Sequence, residues 1–219
     1  MFKTQGEEPT VQRRLLVKVC GMTRQEDADA SRNLGADLLG FIFHAPSPRN
    51  VAPEQAAAIA TPGVLRVGVF VRQDPDEVRR IMEAARLDLA QLAGNQDPDF
   101  CRAVGPERVV RVFFPERLAG RAELEAELAR FAGCKRYALL DAGASAGGSG
   151  RSLPFASPAG IRPPAPWLLA GGLSAANLPE ALAQCTPAGV DLNSGVEGAP
   201  GIKDRAKLAA AFAAISPYR

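Results

Sequence analysis

The sequence predicts an α/β fold, a single (βα)8 barrel of the TIM type with a parallel eight-stranded sheet. Eight short runs rich in β-branched and apolar residues alternate with longer segments of helical periodicity, the pattern of parallel strands joined by crossover helices. Eight such units consume the 219 residues and leave none for a second domain. An open, doubly wound sheet shares the alternation and stands as the alternative.

The strands fall, in order, at LLVKVC (15–20), DLLGFIF (37–43), VLRVGVF (64–70), LDLAQLA (87–93), RVVRVFF (108–114), RYALLD (136–141), WLLAG (167–171) and AGVDLN (188–193). Helical segments follow nearly every one. RQEDADASRNLG (24–35) opens with Thr23 as a cap and stops at Gly35. DPDEVRRIMEAARL (74–87) opens at Asp74 with Pro75 in its first turn, and AKLAAAFAAI (206–215) is the closing helix. Asp27 and Asp29 read as a solvated helix face. Residues 1–14 read as a disordered extension ahead of a barrel at 15–219.

Composition narrows the function. The 26 basic and 24 acidic side chains leave a net charge of +2, and aromatics are 6%, which gives neither a basic stripe nor stacking platforms for nucleic acid. No run of 18 apolar residues and no apolar leader occur, so a membrane span is not expected and a cytoplasmic protein is. Four cysteines without a C-x-x-C pair and a single histidine, His44, predict neither a disulfide framework nor a metal site.

In such barrels chemistry sits where strands end at their C-termini. Cys20-Gly21 ends the first strand, Asp141 the sixth, Gly171-Gly172 the seventh and Asn193-Ser194-Gly195 the eighth. Cys20 reads equally as a thiolate base or nucleophile and as a small buried hydrophobe; for Cys101, Cys134 and Cys185 the hydrophobe is the better reading. Asp141 by itself is either a cap or an acid/base group, and a thiol across the mouth favours the second. The glycine turns AGGLSAANL (170–178) and DLNSGVEG (191–198) offer backbone N–H groups to a phosphate, although each glycine alone equally shapes a tight turn. Residues 142–157, AGASAGGSGRSLPFAS, read as a mobile lid, with Arg151 able to add charge to a bound phosphate, or as a plain insertion. Arg49 can fork onto a planar anion or stand as a solvated arginine, and His44 reads as a loop-packing residue.

Taken together, VKVCGMTRQEDA (17–28), the SPR loop around Arg49, LLDAGASAGGSGRS (139–152), LAGGLSAANL (169–178) and GVDLNSGVEGAPGIKD (189–204) resemble the phosphoribosylanthranilate isomerases. The resemblance runs from Val17 to Asp204. It implies an Amadori rearrangement of N-(5-phosphoribosyl)anthranilate in tryptophan biosynthesis, without cofactor or metal. Cys20 is then the general base and Asp141 the general acid. Substrate contacts are implied at Arg49 and Gln91 and at Gly147, Gly148, Gly171, Gly172, Asp191, Asn193, Ser194 and Gly195. The chain departs from the family at Ala93, where a histidine is usual, at Asn193 for serine, at Arg151-Ser152 for Lys-Thr, and at Ala142 for a hydroxyl residue. The expected partner is a small phosphoribosyl molecule, and the protein is a monomer or homodimer. A silent phosphosugar-binding barrel and an isomerase of a related substrate are the competing readings; a silent binder would need neither Cys20 nor Asp141.

Overall fold

The computed structural model describes residues 14–142 and 159–219. Gly147, Gly148, Arg151, Ser152 and nearly all of the expected lid lie outside the described residues, as do residues 1–13 of the expected extension.

The order of elements is β1 (Leu16–Val19), α1 (Gln25–Asn33), β2 (Leu38–Phe43), α2 (Pro53–Ala58), β3 (Leu65–Phe70), α3 (Pro75–Ala84), β4 (Leu89–Leu92) and α4 (Pro98–Val104). There follow β5 (Val109–Phe113), α5 (Arg121–Arg130), β6 (Tyr137–Asp141), β7 (Trp167–Ala170), α6 (Leu178–Gln184) and β8 (Gly189–Leu192). A short antiparallel hairpin, β9 (Glu197–Ala199) and β10 (Ile202–Lys203), precedes α7 (Arg205–Ile215). Every predicted strand contains one observed strand. The eight pair in parallel and close, β1 returning to β8 with Leu16 opposite Gly189 and Val19 opposite Leu192, which excludes the open sheet. Between β6 and β7 the described residues 159–166 hold no helix. Among the described residues no helix is long and apolar enough to cross a membrane.

Strand alternation sorts side chains into two layers. Leu38, Val67, Leu89, Val110, Val112, Leu139, Leu168 and Ala170 fill the barrel interior, with Leu16, Ala93, Phe114 and Tyr137 packed against them. The intervening positions, among them Val17, Val19, Leu39, Phe41, Ala90, Leu92, Ala138, Leu140, Val190 and Leu192, pack outward under the helices. Counting by twos from the interior residues, Lys18 and Cys20 on β1, Gln91 on β4, Asp141 on β6 and Asp191 on β8 all point inward. The sequence of each strand thus decides which polar groups the barrel must accommodate.

The helices start where local chemistry satisfies their free N–H groups. Asp74 accepts from the Glu77 N–H at 2.8 Å with Pro75 following, as predicted, and Asp97 and Asp204 do the same for α4 and α7. The first helix departs from expectation. Its cap position is Arg24, and Thr23 turns away to donate to the Gly201 carbonyl, which ties the β1 loop to the hairpin. Asp27 is not on a solvated face either: it is buried, accepting from the Arg24 side chain and from the Lys203 backbone N–H at 3.1 Å. Gly35 follows the helix end at φ +94°, as its place in the sequence predicts.

Candidate active site

The site is built first from β1. Leu16 belongs to the interior layer, so two residues further Lys18 is inside the barrel, and two further again Cys20 reaches its C-terminal rim. Lys18 is fully buried, with 0% exposure, and its Nζ donates to both carboxylate oxygens of Asp191 at 2.9 Å. Burial opposes the Lys18 charge, but Asp191 and Cys20 outweigh it, so the ammonium holds its proton more firmly than a free lysine. Cys20 is 4% exposed and its N–H donates to the Leu192 carbonyl at 2.8 Å.

The neighbouring strand makes room for both side chains. A Cβ on Gly40 of β2 would lie 2.6 Å from the Cys20 Sγ and 3.1 Å from the Lys18 Nζ, so the thiol and the ammonium flank one and the same point. Gly40→Ala should therefore displace both, lowering stability by about 1–3 kcal/mol through overpacking. Urea denaturation checks this; an unchanged midpoint would mean that the pocket is roomier than its contacts indicate. Electrostatically the thiol sits among opposed influences. Burial pushes its pKa up, Lys18 pulls it down, Asp191 pushes it up and Lys203 pulls it down, with a net rise.

The next stretch of rim belongs to the loops. Gly21 has φ +79°, and a Cβ there would lie 2.8 Å from the Asn193 Oδ1 and 3.0 Å from the Arg49 Cδ. A residue without a side chain lets the loops after β2 and β8 close over the end of β1. Arg49 forks onto Glu197: Nε donates to Oε1 at 2.9 Å and Nη2 to Oε2 at 2.6 Å, while Nη1 takes no part in the fork. Lys203 donates to Glu197 Oε1 at 2.9 Å and to Asn193 Oδ1 at 3.0 Å. Burial raises the Glu197 pKa, but the Arg49 hydrogen bonds and the Lys203 charge prevail and hold it below the usual carboxylate range. Arg49 is thus a buried, oriented cation and not a solvated one.

Across the barrel, Asp141 is the half-buried last residue of β6, paired with Ala170 of β7. Counting round the sheet, β6 and β1 are separated by β7 and β8, so the carboxyl and the thiol stand on well-separated parts of one rim. Gln91 is buried on β4, and its Oε1 accepts no hydrogen bond from the described residues. Gly171 and Gly172 turn the chain after β7 with φ +115° and +66°. Ser194 and Gly195 lie in a single 3-10 turn after β8, and a Cβ on Gly195 would overlap the Leu173 carbonyl, so the two glycine turns touch. The predicted residues within the described chain therefore gather at one mouth, with Asp191 set below it against Lys18. The remaining cysteines, Cys101, Cys134 and Cys185, are buried in the outer layer, as small hydrophobes would be.

Three members were not singled out from sequence: Lys18, Glu197 and Lys203. A signal existed for the first, a lone charge two positions before Cys20 in an otherwise apolar strand. Glu197 and Lys203 lie in a loop segment, GVEGAPGIKD, where charge carries no positional meaning until the hairpin is folded.

A closed barrel that gathers an inward thiol, an inward carboxylate and an oriented arginine round one mouth has the layout of a (βα)8-barrel enzyme. The family model for N-(5'phosphoribosyl)anthranilate (PRA) isomerase matches residues 17–214. The N-(5'-phosphoribosyl)anthranilate isomerase of Maridesulfovibrio salexigens is 53% identical over 201 residues, 92% of this chain and 98% of the relative. The crystal structure of phosphoribosyl anthranilate isomerase from Thermus thermophilus superposes with a TM-score of 0.80 at 42% identity, covering 94% of this chain and all of that one (100%). A further solved relative, in complex with reduced 1-(o-carboxyphenylamino)-1-deoxyribulose 5-phosphate, has a TM-score of 0.78 at 30% identity, with 93% and 99% covered. The chain belongs to the N-(5'-phosphoribosyl)anthranilate isomerase family, and is an isomerase of tryptophan biosynthesis.

Proposed function

We propose that the rearrangement of N-(5-phosphoribosyl)anthranilate runs between Asp141 and Cys20. Asp141, protonated, gives its proton to the ribose ring oxygen as the bond from that oxygen to C1′ breaks, and the anthranilate nitrogen lone pair forms the C1′=N bond. The Cys20 thiolate then takes the C2′ proton, and the electron pair of that bond moves into C1′=C2′ while the nitrogen recovers its own. Loss of the hydroxyl proton at C2′ and gain of one at C1′ turn the enolamine into the aminoketose. A base and an acid on separated parts of the rim suit this sequence, because the two proton transfers occur at different atoms of one substrate. The carrying observation is the inward-pointing pair itself, since a barrel that only bound a phosphosugar would have no use for a thiol held against an ammonium.

Arg49 meets the anthranilate carboxylate, with Glu197, itself bonded by Lys203, holding Nε and Nη2 of the guanidinium so that Nη1 is left for the substrate. Gln91 faces the same space, and its buried Oε1 is a costly acceptor to leave without a donor, which favours a substrate N–H or O–H there. The touching turns at Gly171-Gly172 and Asn193-Ser194-Gly195 take the phosphate through backbone N–H groups. Binding the phosphate far from the reacting carbon orients an otherwise flexible chain. A relative solved with the reduced product, an open-chain phosphorylated amino alcohol in which the ketone has become a hydroxyl, supports this substrate class.

The test is product identification by mass spectrometry after mixing the protein with freshly made substrate. Conversion to 1-(2-carboxyphenylamino)-1-deoxyribulose 5-phosphate is expected; a rate no greater than in buffer overturns the proposal. Glu197→Gln keeps the shape of the fork but removes its charge, and should raise KM about tenfold, equivalent to about 1.4 kcal/mol, with a smaller change in kcat. Steady-state kinetics decide this, and an unchanged KM would mean that Arg49 needs no holding.

A further inference from the structure

Resting on the reading of Cys20 as base, we infer that Lys18 is the positioning residue that sustains the Cys20 thiolate, with Asp191 fixing the ammonium where it faces the sulfur. Three observations carry this. Lys18 and Cys20 leave β1 on the same inward face, and both crowd the spot that a Gly40 side chain would occupy, at 3.1 and 2.6 Å. Lys18 is fully buried, and its bonds to Asp191 join residues 173 apart in the chain, so barrel closure alone creates the pair. Finally, a buried ion pair is a poor source of stability: two desolvated charges at best roughly match a well-packed apolar pair of the same volume. Stability therefore does not account for a lysine and an aspartate directly beneath a thiol.

The chemistry does account for them. A thiolate formed at a nearly buried position loses most of its hydration, which disfavours it unless a cation is already in place. Lys18 is that cation. Asp191, accepting both hydrogen bonds, keeps the lysine charged and in the interior; without it burial would drive the proton off. The other charges that face the thiol come from separate elements: Lys203 on β10, Arg49 on the loop after β2, and Glu197 on β9, which engages both of those cations. Glu197 engages Arg49 and Lys203, whereas Lys18 is held by Asp191 and pulls on the thiol more strongly than Lys203 does. When the thiolate takes the C2′ proton its charge disappears, and Lys18 falls back on Asp191 alone.

The experiment reads the ionisation of Cys20 directly, from the pH dependence of its alkylation by iodoacetamide followed by mass spectrometry, beside the pH profile of kcat/KM. Lys18→Met should move the midpoint of both upward by at least about one pH unit, the least expected for removing an adjacent opposite charge. Since that variant leaves Asp191 buried and unpaired, the double variant Lys18→Met/Asp191→Asn, which is neutral at both positions, serves if the single one does not fold; because Asp191 itself pushes the thiol up and Lys18 pulls it down more strongly, its midpoint should still move upward, by less than in the single variant. A folded variant whose alkylation midpoint stays where it is in the parent overturns the inference. Full turnover in Cys20→Ala would instead remove the base assignment itself, so the two failures are distinguishable: an inactive Cys20→Ala with an unshifted midpoint refutes only the role of Lys18.

Discussion

Cys20→Ala is expected to lower kcat by at least about 10³-fold while leaving the binding of a reduced product analogue within a factor of about three, since general-base catalysis supplies 10²–10⁴-fold in such reactions. The physical ground is that, among the described residues of β1 and its end, the sulfur is the inward group able to take up a proton: Lys18, two residues before it, is a cation already committed to Asp191. Alanine fits the space beside Gly40 without strain, because it only deletes the sulfur and adds no atom. The fold should survive, and the loss will be kinetic. Rapid-mixing turnover together with calorimetric titration of the analogue checks both halves. A variant that turns over within tenfold of the parent would move the base to another residue.

The second large effect is at Asp141. Asp141→Asn should depress kcat by at least about 10²-fold, because asparagine has the same shape and keeps its hydrogen-bonding capacity but has no proton to give to the ring oxygen. It lies half-exposed at the end of β6, so the melting temperature should change little. The diagnostic is where the reaction stops. With the acid gone the substrate ring stays closed, whereas with the base gone the ring can open to the Schiff base and no further. Hydride trapping of an open-chain imine in Cys20→Ala, and its absence in Asp141→Asn, would separate the two roles. Equal trapping in both would show that Asp141 does not open the ring.

The barrel was legible in the sequence because its signal is local and repeated. Each strand is a short apolar run and each following helix has its own periodicity, so the reading of LLVKVC or VLRVGVF needed no knowledge of any distant residue. The rim was legible for the same reason: knowing where strands end is enough to place Cys20, Asp141, Gly171 and Asn193 around one mouth. What could not be read is what the closed barrel brings together. Lys18 meets Asp191 across 173 residues and Arg49 meets Glu197 across 148, and both contacts depend on β1 closing against β8. Asp27 shows the converse. Its neighbours in sequence suggest an exposed helix face, but the hairpin at Lys203 folds over it and turns it into an interior acceptor. Thr23 is drawn from its predicted cap by the same hairpin, through the Gly201 carbonyl. The hairpin itself, five residues in two strands with glycine and proline between them, carries no hydrophobic alternation that could have announced it.

Isomerisation of N-(5-phosphoribosyl)anthranilate at this mouth requires Cys20 as base. The most direct measurement follows substrate fluorescence after rapid mixing with excess enzyme, for the parent and Cys20→Ala side by side. A fast single-exponential loss is expected in the parent, and in the variant a signal that decays no faster than in buffer. Equal rates of loss in the two proteins would contradict it.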